Sequence, residues 1–246
     1  MGIRFRFKLI PFVATVLVVA LGVQLGNWQE RRAAQKIAMG EKLAQGNAAA
    51  PLALDGAPLE AGAVEFRRVA MTGEFVRNWP LYLENRPYQG RAGFYLLMPF
   101  KIAGSGMHVL VERGWLPRDP AVRDRLPPYA TPQGQVTIEG VARLNAGHVM
   151  NLAGAPALAP NAIVLNADPL DVAKASGLTM QPFVVEQGAA ARPAEAGDDA
   201  RMVRDWPPPA LGVEKHQGYA FQWYALSAMA VIFFVVNGFR RGKNRE

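Results

Sequence analysis

Two stretches of this chain carry no charged residue, and they fix what it can fold into. Leu9 to Gly26 runs for 18 residues and Tyr219 to Phe239 for 21, each close to the length a helix needs to cross the hydrocarbon layer of a bilayer. Tyr219, Trp223 and Tyr224 open the second stretch, where rings with an apolar body and a wet edge prefer the membrane interface. The first stretch follows Arg4, Arg6 and Lys8, the grammar of a secretory signal as well as of an anchor. Its length, and its continuation into the helix-forming segment NWQERRAAQKIAMGEKLAQ, favour an uncleaved anchor.

The formal charge of +7 belongs to the ends of the chain. Arg240, Arg241, Lys243 and Arg245 oppose only Glu246 at one end, and the three basic residues stand alone at the other. Between these tails lie 20 basic and 19 acidic residues. The body therefore has no basic footprint for a polyphosphate, and nucleic acid is not an expected partner. Basic residues outside each span place both termini in the cytoplasm by the positive-inside rule, leaving the long middle segment outside. The expected location is thus a bacterial cytoplasmic (inner) membrane, crossed twice, with a periplasmic main domain. The absence of cysteine removes disulfides, thiolate zinc sites and thiol redox chemistry together.

Between the spans, EFRRVAMTGEFV, PLYLENRPYQGRAGFYLLMPF, HVLVERGW, QVTIEGVAR, AIVLNAD and QPFVVEQ read as strands bounded by Gly and Pro turns. One helix interrupts them: Asp168 can cap it, Pro169 suits its first turn and Gly177 ends it. Pro207 to Pro209 forbid a helix until just before His216. The fold class is a membrane α+β protein, with two transmembrane helices flanking a mainly antiparallel sheet or barrel that is extracytoplasmic. The expected divisions are a basic tail at 1–8, a first span at 9–26, the external domain at 27–218, a second span at 219–239 and a basic tail at 240–246. In HVLVERGW, Gly114 permits backbone geometry that other residues resist, and Trp115 has a large apolar surface to bury.

Catalytic constellations are scarce. Of three serines, Ser105 lies in a flexible AGSGM turn, Ser176 ends the short helix and Ser227 sits within the second span. His108, His148 and His216 stand far apart and match no H-E-x-x-H pattern. Gly90 and Gly93 lack a following Gly-Lys-Ser pair, Asp198 and Asp199 read as solvated surface, and the methionines are scattered rather than grouped for copper. His216 differs through its neighbours. In a helix beginning near residue 214, Tyr219, Ala220 and Trp223 follow at i+3, i+4 and i+7 on the imidazole's face. That stripe suits a flat apolar macrocycle whose iron the imidazole ligates. It equally suits an interfacial histidine beside an aromatic belt that holds no ligand.

LGNWQERRAAQK, RPYQGRAGFYLLMPF, VLVERGWLP, VTIEGVAR and HQGYAFQWYAL together resemble the Surfeit locus protein 1 family, in order and approximate spacing from about Arg4 to Arg240. RGW-x-P and H-x-x-YA-x-QW are the more specific elements. The resemblance implies a two-span assembly factor, not an enzyme, for haem-copper terminal oxidases such as cytochrome c oxidase. Its implied task is supply or insertion of a-type haem (haem a). It carries haem-associated function onto His216, the residue whose spacing already offers an iron ligand with Tyr219 and Trp223 as walls. A chaperone that holds the oxidase subunit and touches haem only indirectly stays open. Implied partners are the oxidase catalytic subunit, the haem a synthesis enzyme and membrane lipid. The family often has Asn two residues before this histidine, where Glu214 stands here. Two other classes compete: a membrane-tethered extracytoplasmic enzyme, which lacks a nucleophile or metal constellation, and a structural docking subunit of a membrane complex.

Overall fold

A computed structural model describes residues 3–5, 7–150, 156–188 and 201–241. Asp198 and Asp199, and the tail residues Arg6, Lys243, Arg245 and Glu246, lie outside the described residues. The chain divides into two compact units, residues 1–42 with 209–246, and residues 43–208.

The first unit is built on helices. Strand β1 (Ile3–Phe5) precedes helix α1 (Leu9–Ala48), which continues unbroken for 40 residues, about 60 Å at the usual rise per residue. Only its first half is apolar. The other long helix, Val213–Gly238, starts directly after Gly212, whose left-handed φ of 59° turns the chain out of the proline run. Both helices are long and apolar enough to cross a membrane. Their large side chains stand exposed, among them Ile10, Leu17, Phe221 and Phe233. A soluble core helix would bury that surface, whereas a membrane helix turns it to lipid, and the chain is a membrane α+β protein. The last strand, Phe239–Arg241, pairs antiparallel with β1, with Phe5 opposite Phe239.

The second unit begins with β2 (Leu52–Ala53) and the single-turn helix α2 (Ala61–Val64). Then come β3 (Arg68–Phe75), β4 (Leu81–Leu83), β5 (Gly93–Ile102), β6 (His108–Pro117), β7 (Val136–Arg143), β8 (Ile163–Val164), α3 (Pro169–Ser176) and β9 (Met180–Gln187). With these in place the membrane-proximal pair are α4 (Val213–Gly238) and β10 (Phe239–Arg241). The sheet runs β2-β3-β7-β9-β6-β5-β4-β8, and a further β3–β5 pairing closes β3, β7, β9, β6 and β5 into a ring. Closure works because β5 is long: Tyr95 to Leu97 pair with β4 while Phe100 to Ile102 pair with β3. Three pairings, β2–β3, β4–β8 and β6–β9, are parallel, and the remainder are antiparallel.

The ring encloses Val69, Met71, Phe75, Met98, Phe100, Val109, Val111, Phe183 and Val185. Outside it, Leu81, Leu83, Leu97, Leu110, Val172 and Val184 form a second core under α3 and β4. β5, β6 and β9 are therefore covered on both faces, which is why their sequences read as nearly continuous apolar runs rather than strict alternation. α3 forms as its sequence dictates: the Asp168 side chain accepts a bond from Leu170 N–H, and Gly177 closes it at φ 72°.

One irregularity rearranges the inner chemistry. Leu96 faces Gly114 but Leu97 faces Glu112, so Arg113 is an extra residue in β6, a β-bulge. The parity of the strand flips there. Glu112 and Trp115, three apart in sequence, come to share a face, while the Arg113 side chain turns to the Phe75 ring on the other. Gly114 is required by close approach, because a Cβ there would press on Met202 Cβ at 2.9 Å.

Candidate functional site in the helix pair

Within the first unit, the buried residues of α1 form a narrow stripe, Gly22, Gly26, Gln29 and Ala33, at helical spacing. On α4 the matching positions are Ser227, Tyr224, Ala220 and His216. A Cβ at Gly22 would collide with the Ser227 hydroxyl, and one at Gly26 with the Tyr224 ring, so the glycines set the distance between the helices. Polar atoms are then paired across the seam. Tyr224 donates its hydroxyl to Asn27 Oδ1 at 2.8 Å, and Lys36 donates to the Ala210 carbonyl at 3.0 Å. His216 Nδ1 lies 2.7 Å from Oε1 of Gln29, itself 9 % exposed.

The last contact decides the tautomer. An amide oxygen only accepts, so Nδ1 is the donor here, and in the neutral ring Nε2 keeps its lone pair. Nε2 has no hydrogen-bond partner among the described residues. A neutral imidazole held this way has the donor chemistry that haem iron takes as an axial ligand. Of the expected walls, Tyr219 is 52 % exposed at the same helix face and Trp223 is half-buried. The structure brings His216 to Gln29 across the helix pair. Gln29 and Asn27 are additions to the sequence reading. The Gly-x-x-x-Gly spacing in GVQLGNWQ marks the helix seam, but the two amides that follow carry no signal of their own until their partners on α4 are known.

The second unit holds a different polar cluster. Glu112 on β6 lies opposite Glu186 on the parallel strand β9, and Arg143 of β7 bonds Glu186 at 3.2 Å. Glu112 is fully buried, and Oε1 has no hydrogen-bond partner. Burial first, then the Glu186 carboxylate, pushes its pKa up to about 8, against the pull of Arg86 and Arg143. Tyr95, next to this cluster, carries the Trp206 ring at 5.1 Å, while Trp206 donates Nε1–H to the Gln187 carbonyl. Arg113 is fully enclosed: it donates to Thr131 Oγ1 at 2.7 Å and lies over Phe75 at 4.5 Å. Trp115 is buried as its sequence position predicts, with Nε1–H donating to the Arg86 carbonyl at 2.7 Å.

A cavity of about 360 Å³ opens beside Arg86, lined also by Glu84, Asn85, Arg118 and Arg123. Two of its arginines are engaged: Arg86 donates to the carbonyls of Glu84, Ala146, Gly147 and Leu165, and Arg118 to Glu84 and the Arg123 carbonyl. His108 is a buried β6 residue facing the Thr179 carbonyl, and His148 is exposed in a loop. Among the described residues no three His, Cys, Asp or Glu side chains gather as a metal site.

Paired apolar helices with a histidine–amide seam, and a closed barrel inserted in sequence between them, define a two-helix membrane-anchored barrel protein. The SURF1 family model matches residues 16–228, and the chain belongs to that family. Among its relatives, a protein of Monosiga brevicollis named "SURF1-like protein" is 29 % identical over 94 % of this chain and 88 % of its own length. Surfeit locus protein 1 of Takifugu rubripes is 27 % identical over 52 % of this chain, which spans 60 % of that protein. A protein of Saccharomyces cerevisiae named "Cytochrome oxidase assembly protein SHY1" is 35 % identical over 60 residues, 24 % of this chain and 15 % of its own.

Proposed function

We propose that this protein is a non-catalytic assembly factor for a haem-copper terminal oxidase, holding a-type haem at the bilayer boundary for the catalytic subunit. The observation that carries the haem side of this reading is the His216–Gln29 pair, which leaves one imidazole nitrogen free to ligate at the wet end of an apolar helix. Haem is too apolar to travel unaccompanied, and an anchored protein with an iron ligand beside exposed rings meets that need. Family membership and the printed name of the yeast relative support the oxidase side. The oxidase catalytic subunit and the haem a synthesis enzyme are the expected partners.

Both termini are assigned to the cytoplasm and the barrel to the periplasm of a bacterial inner membrane. Pairing of β1 with β10, which joins the two chain ends at one end of the helix pair, supports a common side for the termini. The test of function is a visible spectrum of protein gently purified from cells that make a-type haem. Wild type should carry haem, and His216→Ala should insert and accumulate normally but lose most of it. Trp223→Ala should lose less, since it removes contact area and no iron bond. Haem content unchanged by His216→Ala would return this histidine to an interfacial role.

A further inference from the structure

We infer that Gln29 is a positioning residue for the His216 ligand, fixing its tautomer and strengthening its nitrogen toward iron; this rests on the haem reading above. Three observations meet here. The Oε1–Nδ1 distance is 2.7 Å. Gln29 is nearly closed to solvent, so water does not compete for the bond. Gln29 also lies on the glycine seam that spaces the two helices, which holds the amide at fixed reach from the ring.

The chemistry follows from how a histidine ligand is tuned. A partner that accepts the Nδ1 proton keeps the lone pair on Nε2, orients the ring and raises the basicity of the ligating nitrogen. Loss of such a partner typically costs 10- to 100-fold in metal affinity. Without Gln29 the ring can hold its proton on either nitrogen and rotate about its side-chain bonds. A carboxylate at the same place pulls harder on the Nδ1 proton and makes the ligand a stronger electron donor, which favours ferric over ferrous iron. Nothing in LGNWQ by itself sets Gln29 apart from an ordinary flank of a membrane span.

The experiment uses the full chain in detergent and added hemin (ferric protoporphyrin IX) as the probe. Binding is followed by the Soret band, and the midpoint potential of the bound haem by spectroelectrochemistry. Gln29→Leu should weaken hemin binding about tenfold and move the potential positive. Gln29→Glu, nearly the same shape, should retain binding and move the potential negative of wild type. Leu, wild type and Glu should therefore fall in that order, which a role confined to helix packing would not produce. Should Gln29→Leu fail to accumulate, the negative shift in Gln29→Glu is the deciding measurement. An unshifted potential in Gln29→Glu overturns the inference while leaving the haem reading intact if His216→Ala still loses hemin. No hemin uptake by wild type overturns both.

Discussion

The two units handle polar atoms in opposite ways. The barrel buries ionisable side chains, Glu112, Arg113 and Arg86, and surrounds them with apolar side chains on both faces of its strands. The helix pair buries little of bulk: glycine, alanine and serine set its spacing, its side-chain bonds join Gln29 to His216, Asn27 to Tyr224 and Lys36 to the Ala210 carbonyl, and its large apolar side chains face outward. The difference reflects solvent. A barrel in water gains from every apolar group it encloses, whereas helices in lipid gain little from burial and associate through close packing and hydrogen bonds. Robust scaffold and adjustable seam are thus separated in one chain.

Four measurements test that contrast, beginning with the largest effect. Trp115→Ala should destabilise the barrel by about 3–5 kcal/mol, the usual cost of emptying a buried aromatic site, seen as a sharp fall in thermal midpoint and cellular abundance. Normal abundance with lost function would instead move Arg113-Gly114-Trp115 into the working site. Next comes pH. Glu112 binds its proton more tightly folded, with a pKa of about 8 against an ordinary 4.5, so its contribution to stability is full below about 4.5 and lost as pH rises to about 8. Glu112→Gln should therefore match wild type near the acid end and exceed it by a few kcal/mol above pH 8. A constant difference between the two across pH would show that Glu112 ionises normally.

The seam should respond more mildly. Gly26→Leu drives a side chain into the Tyr224 ring and should cost about 1–3 kcal/mol of helix pairing, read as loss of a disulfide engineered between α1 and α4, with the barrel's thermal midpoint unchanged. A drop in that midpoint would mean the units are not energetically separate. Smallest of all, Tyr224→Phe removes one bond to Asn27 and should cost about 0.6 kcal/mol, the average found for such bonds between membrane helices. A loss several times larger would mean the seam relies on that bond as the barrel relies on its buried ionisable side chains.

Legibility in the sequence tracked the range of the interactions. α3 was readable because its cap, its proline and its glycine are all local, and the two spans because absence of charge needs no partner. The ring closure was not. It depends on β3 meeting β5 and on β6 lying parallel to β9, a pairing that brings His108 beside Met180. The bulge at Arg113 was invisible as well, since HVLVERGW reads as a plain strand until register with Leu96 and Leu97 is known. His216 drew attention as a candidate through its aromatic neighbours. Gln29 did not, because an amide just past a membrane span is ordinary until its partner, far along the chain, is in place.

That separation is also an interval of time. Gln29 and His216 are 187 positions apart, and at about 5–20 residues per second a ribosome takes roughly 10–40 s to pass from one to the other. Throughout that interval α1 sits in the membrane with its glycine seam unfilled and its amide without the imidazole. A chain stalled before residue 216 therefore carries α1 and the barrel strands but lacks the His216–Gln29 contact. The order of residues alone thus makes this contact one of the later ones the chain can form.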